Sequence, residues 1–153
     1  MKKVYYSFCA LLVFILGACS ADMKVPEIAS DMCACYKPLQ DSLSEEAKSL
    51  IISSAGSTDI SKAMQDGIGK LDTLKQLTVS LELMKLDQAA DNNSSIGRCL
   101  KDLEKKYDKD YTLNENTFLD KVIKELDSKK ECGLTAALMK IGMTEMRKEG
   151  SIK

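Results

Sequence analysis

Apolar residues recur along this chain at steps of three and four, the spacing of an α-helix that buries one face. From Ile28 the series continues through Met32, Cys35, Tyr36, Leu39, Leu43, Ala47 and Leu50, all within an arc of about 120° at helical pitch. Pro26 suits the first position of a helix, and Glu27 suits its electropositive first turn. The spacing therefore predicts a long helix beginning at Pro26. Pro38 lies on its polar side, where a lost hydrogen bond and a steric clash predict a kink rather than an end. The stretch SSAGS at 53–57 stops it.

A second long helix is expected from a cap at Thr58 to about Ala90. Ile60, Met64, Ile68, Leu71, Leu74, Leu81 and Met84 trace its main stripe, and Leu77, Val79, Leu83 and Leu86 widen it. Gly67 and Gly69 weaken it by about 1 kcal/mol each relative to Ala, and mark a bend or a close helix crossing. Asp91, Asn92, Asn93 and Ser94 form a break and a cap cluster ahead of a third helix bearing Ile96, Leu100, Leu103 and Tyr107, with Cys99 at the edge of the stripe. A fourth, capped by Asn114 or Asn116, carries Phe118, Leu119, Val122, Ile123 and Leu126 and ends near Gly133. The last covers Leu134 to about Lys148. No two-residue alternation is long enough for a strand, and no internal repeat is present. The expected fold class is all-α, a small bundle of about five helices, two long and three short.

Ahead of these helices stand Lys2 and Lys3, an apolar run SFCALLVFIL at 7–16, and then Gly17 and Ala18. These are the three parts of a secretory signal, and the run is shorter than the roughly 20 residues a membrane helix needs. Leu16-Gly17-Ala18-Cys19 resembles the lipobox of bacterial lipoprotein precursors. That resemblance covers residues 1–19 alone. It implies cleavage before Cys19 by signal peptidase II, a diacylglycerol thioether on Cys19, and acylation of its new amine. Two or more acyl chains anchor a protein stably where one does not. Ser20, in place of an Asp, points to the outer membrane. The expected division is a signal peptide at 1–18, a lipid anchor and short tether at 19–25, and a helical domain at 26–153.

Removing residues 1–18 takes away two lysines and no acid, which leaves 20 basic against 23 acidic residues, a formal charge of −3. The signs are mixed throughout, and no basic-aromatic stripe suits nucleic acid. The chain has no His and no Trp. Without His it lacks the commonest general base, the Ser-His and Cys-His nucleophile systems, and most zinc and copper ligand sets.

Six cysteines are present. Cys9 leaves with the signal and Cys19 takes the lipid. Cys33, Cys35, Cys99 and Cys132 remain, an even number in a compartment where disulfides persist. On a helix Cys33 and Cys35 point about 200° apart, so each is expected to bridge outward to a different element. Both 33–99 with 35–132 and 33–132 with 35–99 satisfy that geometry. The alternative reading of Cys33-x-Cys35 is a thiol-disulfide exchange centre.

Met139, Met143 and Met146 cluster on an arc of about 60°, opposite Leu134, Ala137, Leu138 and Ile141. A helix with two apolar faces is either sandwiched in a core or turns one face to a partner. Met fills irregular cores, and thioethers also ligate Cu(I), but three Met without His make a poor copper site. Asp108-x-Asp110 lacks the Gly and terminal Glu of a calcium loop. No catalytic residue, metal site or cofactor is expected. The sequence reads as a membrane-anchored envelope lipoprotein with a structural or protein-binding role. Its partners are the membrane, through Cys19, and another envelope protein.

Overall fold

The structure, a computed structural model, describes residues 20–89, 91, 93–107 and 115–148. The signal segment, Cys19 and the Asp108-x-Asp110 stretch lie outside the described residues. Those described form seven α-helices and no strand: α1 (Ser20–Ser42), α2 (Glu45–Ser54), α3 (Ile60–Ile68), α4 (Thr73–Ala89), α5 (Ser95–Tyr107), α6 (Glu115–Ser128) and α7 (Gly133–Lys148). A 3-10 turn at Lys130–Cys132 joins the last two. None of these helices is long and apolar enough to cross a membrane.

The all-α expectation holds, but the count of five does not, because each long helix is two. The first breaks after Ser42; Pro38 lies inside α1 and does not end it. Ser44 adopts extended backbone, and its hydroxyl accepts from the Ala47 N–H to cap α2. The signal was a Ser ahead of two first-turn carboxylates, Glu45 and Glu46. The second long helix ends at Ile68, with Gly69 as its C-cap. Asp72 restarts the chain by accepting from the Lys75 N–H at 3.0 Å. Asp59, not Thr58, caps α3.

α1 already begins at Ser20, so residues 20–25, expected as a short tether ahead of a fold starting at Pro26, are helical and Pro26 sits inside the helix. Tertiary packing overrides the proline: Val25, Ile28 and Ala29 are buried on either side of it.

Two apolar cores result. The first gathers Leu39, Leu43, Ala47, Leu50, Ile51 and Val79 with Ile96, Leu134 and Ala137. The second gathers Val25, Ile28 and Ala29 with Tyr107, Phe118, Val122, Leu126 and Ala136. α7 stands between them. Its Leu134 and Ala137 serve the first core, Ala136 and Met139 the second, and Met143 is also buried. The double-faced helix is therefore sandwiched, at least for Met139 and Met143; the side chain of Met146 lies outside those described.

α1 and α5 run antiparallel, each contributing to both cores. Cys35 is bonded to Cys99 between them, with Cα atoms 5.7 Å apart. Cys33 is bonded to Cys132 in the 3-10 turn, with Cα atoms 5.5 Å apart. The two bridges close sequence separations of 64 and 99 residues, and each contributes about 4–5 kcal/mol in the chain-entropy model.

Candidate binding face

α4 is where the sequence pattern and the structure part company. Carried through as one helix, the stripe ending in Leu74, Leu81 and Met84 would face the core. Because Gly69–Asp72 interrupts the helix, α4 restarts in a new rotational phase. Val79 is buried instead, with Leu83 and Leu86 partly buried beside it. Leu74, Leu77, Leu81 and Met84 stand between 52% and 75% exposed. Their spacing of three, four and three confines them to one seam on the side opposite Val79, the spacing by which a helix meets another helix. A helix with two apolar faces ordinarily has both of them covered. This one is covered on one.

The α4 seam adjoins an apolar cavity of about 750 Å³, with Met84 in the lining. Five helices supply its walls, through residues such as Tyr36 of α1, Ile68 of α3, Leu83 of α4, Ile96 of α5 and Ile141 of α7. Among the described residues no charged one lines it. Tyr36 and Ser80 alone bear hydroxyls among the described residues of the lining, and neither hydroxyl has a hydrogen-bond partner among the described residues. Burial pushes the Tyr36 phenol above the ordinary tyrosine range. The Cys35–Cys99 bridge lies directly beside this cavity, since its sequence neighbours Tyr36 and Leu100 both belong to the lining.

Polar contacts hold α4 and α1 in position. Glu46 of α2 and Lys75 of α4 form an ion pair at 2.7 Å, which holds the Glu46 carboxyl below the usual range and the Lys75 amine above it. On the far side, Lys106 Nζ lies 2.7 Å from Asp31 and 3.2 Å from Glu27. The Tyr107 hydroxyl donates to Asp31 at 2.7 Å and approaches Glu27 at 3.1 Å. The hydrogen bonds from Lys106 and Tyr107 hold the Asp31 carboxyl below the ordinary aspartate range. Burial, more than any neighbour, raises the Tyr107 phenol.

The four candidate cysteines are thus spent on two bridges that reach away from each other. Cys33 and Cys35 are not joined, and Cys35 and Cys132 are buried. Among the described residues no group of three or more Cys, Asp or Glu is placed to hold a metal ion. The cavity and the exposed seam were not anticipated; the Gly69–Asp72 break was the signal for both, because it resets which α4 residues face inward. Compared with known proteins, the chain matches no family model, no curated protein and no solved structure.

Proposed function

We propose that this chain is a cell-envelope lipoprotein, held through Cys19 at the periplasmic face of the outer membrane, that binds another envelope protein and catalyses no reaction. The lipobox at Leu16-Gly17-Ala18-Cys19 supports the address. One observation carries the binding role: Leu74, Leu77, Leu81 and Met84 are exposed in a helix-pairing register, while the other apolar stripes among the described residues are consumed by the protein's own cores. The partner is accordingly an amphipathic helix laid along α4, anchored by apolar side chains at three- and four-residue steps.

The redox alternative needs an accessible bridge between Cys33 and Cys35 or a reducible partner bond. The observed pairing weighs against it, with Cys35 and Cys132 buried.

Both halves of the proposal are testable in intact cells. A photo-crosslinking residue at Leu77 should give one discrete protein adduct, and the same residue at exposed Lys124 on α6 should give none. Labelled palmitate should enter the wild-type chain and be lost in Cys19→Ala. Equal adducts from both positions would remove the binding reading. Wild-type protein free of palmitate would remove the anchor.

A further inference from the structure

We infer that the cavity among α1, α3, α4, α5 and α7 is a binding site for the hydrocarbon chain of an uncharged lipid, of the monoacylglycerol kind. Its volume of about 750 Å³ lies within the range of small-molecule sites, roughly 300–1,000 Å³. Among the described residues its lining holds no charge, so a buried carboxylate, phosphate or ammonium would be desolvated without compensation by these walls. A peptide strand is disfavoured for the same reason, since its backbone N–H and C=O groups would face aliphatic walls. A hydrocarbon chain demands nothing of such walls. Met64 and Met84 supply adaptable surface around it.

The polar end has a matching provision. Tyr36 and Ser80 bring hydroxyls into the lining that have no hydrogen-bond partner among the described residues, and hydroxyls donate to the ester or alcohol oxygen of a neutral glyceride. The site is also preformed. The Cys35–Cys99 bridge ties α1 to α5 beside two of its lining residues, Tyr36 and Leu100, which lowers the cost of ordering the walls on binding. This inference does not rest on the protein-binding role of the α4 seam.

The test uses the full chain in phospholipid vesicles, with a monoacylglycerol carrying a diazirine in its hydrocarbon chain as the probe. After irradiation, labelled peptides should come from the cavity side of α4, α5 and α7, and excess unlabelled monopalmitoylglycerol should suppress them. Gly142 is an exposed residue of the lining, and a Cβ there meets nothing within 4 Å. Gly142→Phe should therefore fold with both bridges intact and cut labelling about tenfold, a loss of roughly 1.4 kcal/mol in affinity. Leu77→Ser, on the outer seam, should leave labelling unchanged. Ser80→Phe, on the α4 wall, decides the matter should Gly142→Phe misfold. Label confined to the outer seam, label insensitive to the folded filling variant, or displacement by naphthalene but not by monopalmitoylglycerol would each overturn the assignment.

Discussion

The carboxylate of Glu82 in α4 accepts both the backbone N–H of Ser44 at 3.1 Å and its hydroxyl at 2.6 Å, at the N-terminus of α2. Ser44 in turn accepts from the Ala47 N–H at 3.2 Å. One residue pair therefore caps a helix and fastens α4 to it. Ser44→Ala should cost about 1 kcal/mol, and Glu82→Ala a similar amount. The double variant should cost clearly less than their sum, because both remove the same contact. Urea unfolding of the four proteins measures the coupling, and strict additivity would contradict it.

Opposite faces of α4 should respond differently to substitution. Val79→Ala removes buried apolar surface and should cost about 1–3 kcal/mol. Leu77→Ser and Leu81→Ser, on the exposed seam, should leave stability within about 0.5 kcal/mol. Thermal midpoints would show it; equal losses on both faces would refute the rotational phase described above.

Two glycines separate crossing from open space. Ala at Gly142 meets nothing within 4 Å and should stabilise α7 by about 0.5–1 kcal/mol. The same change at Gly67 drives a methyl into the Leu50 side chain, forcing a buried rotamer to shift at a cost of about 0.5–1.5 kcal/mol. The propensity gain is then offset, and Gly67→Ala should be neutral or destabilising. A gain at Gly67 equal to that at Gly142 in denaturant unfolding would contradict the close crossing.

Acid should loosen the junction of α1 and α5. The Asp31 carboxyl is lowered in the folded state by hydrogen bonds from Lys106 and Tyr107. Its contribution is therefore present above the ordinary aspartate value and is lost as pH falls through the folded one. At the alkaline end the raised phenols of Tyr36 and Tyr107 work in the other sense: their contribution is whole below the ordinary tyrosine value and fades as pH rises through the folded one. Asp31→Asn should flatten the acid limb of the stability profile and also soften the alkaline limb, because the Asp31 carboxylate helps to raise the Tyr107 phenol. An acid limb as steep in the variant as in the wild type would count against the network.

The bridges allow a direct chemical check. Peptide mapping of unreduced protein should recover Cys33 with Cys132 and Cys35 with Cys99, with no free thiol among the four. Removing either pair should cost a comparable amount, about 4–5 kcal/mol, because loop length enters only as a logarithm.

Most of the fold was legible because helical periodicity is local. The stripes from Ile28 to Leu50, from Ile96 to Tyr107 and from Phe118 to Leu126 fall where their spacing indicates, within one or other core. The divergence of Cys33 and Cys35 was legible too, since 200° of helical rotation forbids their meeting. Which distant thiol each meets depends on how α5 and α7 pack, and no local pattern holds that. The inversion of α4 was hidden for a related reason. A periodicity argument assumes an unbroken helix, and the four residues from Gly69 to Asp72 rotate everything after them. With Leu74 and Leu81 assigned inward, neither the seam nor the cavity had a place.

The position of α7 between two apolar cores bears on how the molecule comes apart. Two cores usually suggest halves that melt one after the other. Here the same helix walls both, while α1 and α5 thread each from end to end. Neither compartment can empty without stripping the shared partition of its packing, so denaturation should proceed as one event, with equal calorimetric and van't Hoff enthalpies.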